Sequence, residues 1–128
     1  ANAMGGLESP DYLAALDTSR RLARDGLDKA AQDHELDALI TISNGPAWKT
    51  DHVNGDHFSI GSSSYAAIAG YPNITVPAGF VAGLPVGVSL IGQPFTERQL
   101  IRIAFAFEQA QQARRPPKLL NGVTKIDR

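Results

Sequence analysis

Two segments that read as strands, Asn73–Phe80 and Val86–Gly92, are separated only by Val81-Ala82-Gly83-Leu84-Pro85. A parallel pair would need a crossover of about a dozen residues or more, so this connection predicts an antiparallel hairpin. The remaining elements must then cover the faces of that hairpin, and helical patterns flank it in the sequence. On the N-terminal side, Ser9-Pro10-Asp11 opens a helix with a hydroxyl cap, a proline whose missing N–H is not needed, and an acid at the positive end. Leu13, Leu16, Ala23, Leu27 and Ala30 follow at spacings near three and four and form one apolar stripe. Gly26 costs about 1 kcal/mol within it, which leaves open a kink or two shorter helices.

A third strand is predicted over Leu36–Ile42, whose shortness and isoleucines suit a buried strand. A long polar loop, Ser43–His57, leaves it through the turn signals Asn44-Gly45-Pro46 and Asn54-Gly55-Asp56. Loops of this length inside one domain are usually functional or mobile. A short helix comes next, with Ser62, Ser63 or Ser64 as its cap and Gly70 as its stop. Beyond the hairpin, Thr96-Glu97-Arg98-Gln99 has the form of a capping box. The helix it opens is predicted to bury Leu100, Ile103, Ala104, Phe107 and Ala110, with Phe105 also packing. Arg114-Arg115 stand at its negative end and Pro116-Pro117 terminate it. This order of elements predicts an α/β fold, a mixed sheet with flanking helices.

A chain of 128 residues accommodates one domain. Ala1-Asn2-Ala3 read as an expression-tag scar, leaving residues 4–128 as a single domain that starts at Met4. A net charge of −1 gives no broad attraction to nucleic acid or anionic lipid, and no partner of either kind is expected. There is no cysteine, which excludes disulfides, thiolate metal sites and a cysteine nucleophile, and which fits a cytoplasmic protein. No segment approaches the run of about 20 apolar residues that crosses a membrane, and no export signal is visible. Walker, dinucleotide-binding, Gly-x-Ser-x-Gly and His-Glu-x-x-His patterns are all missing from the sequence.

Several strings, taken in order, carry a family resemblance. They are Leu36-Asp37-Ala38-Leu39-Ile40, then Gly70-Tyr71-Pro72-Asn73-Ile74-Thr75-Val76-Pro77-Ala78-Gly79, then Gly83-Leu84-Pro85-Val86-Gly87-Val88-Ser89-Leu90-Ile91-Gly92, then Ala106-Phe107-Glu108-Gln109-Ala110. From about Tyr12 to Pro117 the chain resembles the C-terminal region of the amidase-signature family. Asn44-Gly45-Pro46-Ala47-Trp48 leans toward its bacterial peptide-amidase-like branch.

The resemblance implies an α/β/α sandwich, C–N bond hydrolysis of amides and no cofactor. It also implies a serine nucleophile, a second serine with a cis peptide bond, and a lysine, all in the N-terminal portion of the family domain. The catalytic set within this chain is therefore expected to be none. Amide substrate would bind only together with the N-terminal part, and this piece alone would be inactive. A stand-alone, non-catalytic binding domain for a small molecule or a protein is the alternative.

Within the chain, Gly61-Ser62-Ser63-Ser64 reads as helix capping and not as the family's Gly/Ser signature. Asp51, His52, Asp56 and His57 match no zinc or calcium spacing and read as solvated loop residues, so no metal site is expected. Lys49 reads as an exposed loop lysine. The resemblance brings the loop after the first strand close to the substrate entrance, which makes Asn44, Gly45 and Trp48 candidate substrate contacts. Tyr65 is a fourth candidate, as an aromatic lining a pocket. Trp48 is equally suited to pinning the loop by packing. An incomplete sheet leaves apolar surface and an open edge, predicting homo-oligomers that cover Leu36–Ile42 or Asn73–Phe80.

Overall fold

A computed structural model describes residues 6–117. The tag-like Ala1–Ala3, the start at Met4 and Lys118, which sequence reading adds to the basic cluster of Arg114 and Arg115, lie outside the described residues.

Helix α1 (Pro10–Asp33) begins as its sequence dictates, with the Tyr12 amide donating to Ser9 Oγ at 3.3 Å and Pro10 in the first turn. It runs unbroken through Gly26, so neither a break nor two helices form. Only the second half of its apolar stripe finds a partner. Leu27 is buried with Ala23 beside it, whereas Leu13 stays exposed. Helix α2 (Ser63–Ala69) packs across this half and ends at Gly70, whose φ of 75° is the left-handed cap that favours glycine. Arg24 of α1 donates from Nε to the Ala69 carbonyl at 2.8 Å and ties the end of α2 to α1. The Tyr71 hydroxyl donates to Asp28 Oδ1 at 2.7 Å and joins the same helix to the start of the hairpin.

The sheet contains β1 (Leu39–Ile42), β2 (Asn73–Val81) and β3 (Leu84–Ile91) in the order β1-β3-β2, with both pairings antiparallel. The hairpin is present, and its turn is tighter than the five-residue connection suggests. Ala82 and Gly83 alone form it, at φ 50° and 80°, the pair of left-handed residues that matches strand twist. Ala78 is an extra residue in β2, bulging between the pairs Pro77–Gly87 and Gly79–Val86. The fold is α/β with helices on both faces of the sheet; the mixed character expected of the sheet is not expressed within these three antiparallel strands.

Alternation of side chains divides the core in two. Ile91 and Leu39 face α1 and α2 with Ala66 and Ala69. Val76, Val88 and Leu90 face helix α3 (Glu97–Gln111), whose Leu100 and Ala104 are buried against them. Ile103 and Phe107 complete that side as the spacing predicts. Ala110 and Phe105 do not, and Phe105 is 61% exposed, because α3 rests on the sheet with one face and, among the described residues, nothing covers the other.

Both predicted caps are also corrected. Thr96 does not cap α3; its hydroxyl donates to the Gln93 carbonyl at 2.7 Å, and Gln99 reaches across to Asp37 at 2.7 Å. Partners from the preceding turn and from the β1 approach outcompete the local box. Arg115 is likewise not a helix-end charge, since α3 stops at Gln111 and the guanidinium lies 5.0 Å over the Phe80 ring.

Candidate functional site

The long loop leaves β1 at Ser43 and returns to α2 at Ser62, and its neck is laced by backbone pairing. The Ser62 amide donates to the Ser43 carbonyl at 3.2 Å, Asn44 bridges Gly61 in antiparallel sense, and the Gly45 amide donates to Ile60 O at 3.3 Å. Gly61 has no room for a side chain: an added Cβ would lie 2.7 Å from both Asn44 Oδ1 and the Phe58 ring. Asn44 and Gly45, two of the candidate substrate contacts, therefore sit in the neck. The third, Trp48, stands edge-on to Phe58, with ring centroids 6.0 Å apart at 72°. This contact joins the outgoing and returning limbs, so the loop-pinning role of Trp48 has a visible partner.

At the tip, Asp51 accepts hydrogen bonds from the amides of Val53 and Asn54 at 2.8 and 2.9 Å and from Asn54 Nδ2 at 3.0 Å. The Asn54 amide, then its side chain, then the Val53 amide hold this carboxyl below its ordinary range. Asp51 is thus a turn former, not a free loop acid. Among the described residues no three His, Asp or Glu side chains come close enough to hold a metal ion.

Beneath the neck lies a feature that sequence reading missed. Ser43 Oγ is 2.8 Å from Ser89 Oγ, and Thr75 Oγ1 is 2.9 Å from the same atom, with Ser43 donating more weakly to Thr75 at 3.4 Å. Ser89 is the hub, only 3% exposed, on the central strand. Gly87 leaves space for the trio, since a Cβ there would meet Thr75 Cγ2 at 3.0 Å and Ser43 Oγ at 3.3 Å. The signal was available once the hairpin was in register, because Thr75 and Ser89 face each other across it. Ser62, expected as a cap, is buried here too: its hydroxyl reaches the Ser43 carbonyl at 3.5 Å, and no side-chain cap forms on α2.

Tyr65 lies elsewhere. It projects from α2 into an open apolar groove of about 710 Å³ between α1, β1 and α2, lined also by Leu22, Leu27, Ile40, Ile68 and Ile91. The groove lining includes none of Asn44, Gly45 or Trp48, so the four candidates divide between a loop neck and a groove.

Helices on both faces of a sheet, a short hairpin and a long laced loop after the first strand define a layered α/β scaffold. The amidase family profile matches residues 2–101, and the chain belongs to that family. It is 40% identical over 107 residues to a probable amidase of Arabidopsis thaliana, covering 83% of this chain and 18% of the relative. A glutamyl-tRNA(Gln) amidotransferase subunit from Moorella thermoacetica is 39% identical over 113 residues, covering 84% and 23%. Among solved structures, the native peptide amidase of Stenotrophomonas maltophilia superposes with a TM-score of 0.80 at 44% identity, covering 91% of this chain and 23% of that one. The chain thus spans roughly a fifth of the length of these relatives.

Proposed function

We infer that this chain is the C-terminal part of an amide-bond hydrolase, supplying sheet, covering helices and one wall of the substrate pocket. One observation carries the reading. Nine-tenths of the chain superposes on a peptide amidase, yet this accounts for 23% of that enzyme. In this reading the nucleophilic serine, the cis-serine and the lysine lie outside the chain.

The chemistry explains why the chain alone is inactive. A serine hydroxyl attacks a carbonyl only as a neighbouring base takes its proton. A lysine kept neutral by burial can supply that base, and backbone N–H groups then hold the oxyanion. The hydroxyls of Ser43, Thr75 and buried Ser89 bond to one another and not to a lysine or histidine. They suit a structural clasp under the pocket loop. Asn44, Gly45 and Trp48 on that loop, and Tyr65 beside it in sequence, are the residues through which this wall would touch an amide substrate. In this reading the complete enzyme needs no cofactor and works in the cytoplasm.

Purified chain incubated with simple amides should release no ammonia; turnover would overturn the reading. The open groove taken alone would favour a stand-alone binding domain. The DNA upstream of the Met4 codon separates the two: an open frame encoding a Gly/Ser-rich stretch and a lysine supports the hydrolase, and a stop codon followed by unrelated sequence supports the binding domain.

A further inference from the structure

The loop after β1 contains the dipeptide Asn-Gly twice, as Asn44-Gly45 in its neck and as Asn54-Gly55 at its tip. This dipeptide is the most reactive setting for an asparagine side chain. Glycine has no Cβ to keep its own nitrogen from closing on the carboxamide carbon of the residue before it. A third copy, Asn121-Gly122, lies outside the described residues.

The two copies in the loop are held very differently. In the neck, the Gly45 amide donates across to Ile60 O at 3.3 Å, inside the pairing that also joins Ser62 to Ser43 and Asn44 to Gly61. Gly45 is half-buried, and the Asn44 carboxamide packs against the Gly61 backbone. Freeing that nitrogen means opening the whole neck. At the tip, every residue from Asp51 to Ile60 is exposed, and a Cβ added to Gly55 would meet nothing within 4 Å. The Gly55 amide donates at 3.1 Å to Asp51 O, only four residues back, so one turn has to open. The Asp51 carboxylate closes that turn by accepting from the amides of Val53 and Asn54 and from Asn54 Nδ2.

We propose that Asn54 is a site of spontaneous covalent modification, deamidation through a succinimide, and that Asp51 sets its rate by holding both reacting groups. When the turn opens, the Gly55 nitrogen loses its proton and bonds to Asn54 Cγ. The Cγ–Nδ2 bond breaks, and ammonia leaves with the proton. Water then opens the five-membered ring at either carbonyl, giving aspartate or isoaspartate at position 54. Either product replaces a donor to Asp51 with a carboxylate that repels it, so the turn at the loop tip loosens.

The test incubates the purified chain in mildly alkaline buffer and follows the tryptic peptides on either side of Lys49 by mass. Local opening should convert Asn54 at least about tenfold faster than Asn44. Asp51→Ala should speed conversion at Asn54 by roughly fivefold or more and leave Asn44 unchanged, and Asn54→Gln should remove the reaction from that peptide. Conversion of Asn44 as fast as Asn54 would overturn the proposal. So would an Asp51→Ala rate at Asn54 that is unchanged or slower, or a rise at both asparagines alike. The product mimic Asn54→Asp should be cut by trypsin after Lys49 several times faster than wild type in the folded chain; equal cutting would refute the loosening of the tip. The reaction frees one ammonia per converted Asn54 and needs no added amide. It is therefore distinct from substrate turnover and stands or falls separately from the hydrolase reading.

Discussion

Ser89 links the sheet to the loop, since its buried hydroxyl holds both Ser43 and Thr75. Ser89→Ala should lower stability by about 1–2 kcal/mol, because two hydroxyls lose their shared partner. The urea midpoint should fall with an unchanged slope, and a midpoint within error of wild type would contradict the clasp. Tyr71 offers a pH signature. Desolvation first, then the hydrogen bond and charge of Asp28, push its phenol above the ordinary value of 10.0. A group whose folded pKa is raised gives stability that is complete below the unfolded value and is lost as pH climbs through the folded one. Tyr71→Phe should therefore cost about 1 kcal/mol at neutral pH, and its deficit should shrink above pH ~10 as wild type loses the bond.

The hairpin turn places Ala82 at a φ of 50°, where a Cβ is strained and asparagine is favoured. Ala82→Asn should raise stability by roughly 0.5–1 kcal/mol, measured as a higher Tm, whereas Leu100→Ala under the sheet should lose about 2–5 kcal/mol. The hairpin, both long helices and the Gly70 stop were legible in the sequence because each follows from local chemistry: turn length, a proline at a helix start, a glycine at its end. What was not legible depends on neighbours distant in sequence. The box at Thr96 fails because Gln93 and Asp37 bind its side chains. Ser62 turns from cap to neck because Ser43 lies beside it. Of the four candidate contacts, sequence placed Asn44, Gly45 and Trp48 on one loop, but it could not show that Tyr65 points into a separate groove or that Trp48 has Phe58 to lean on.

At the scale of the whole molecule, half of α1, the edge of β1 and the outer face of α2 expose apolar side chains that a finished domain would cover. The chain on its own should therefore self-associate through the β1 side, with Ile40→Lys and Ile42→Lys together returning it to a monomer in light scattering. A wild-type chain that stays monomeric at high concentration would contradict this. The decisive question is whether this fold holds a reaction centre or only supports one. Ammonia release from simple amides by the purified 128-residue chain measures this directly. Release should be no faster than in buffer alone. Release that scales with protein and disappears in Ser43→Ala or Ser89→Ala would contradict it, because the hydroxyl clasp would then be a catalytic centre.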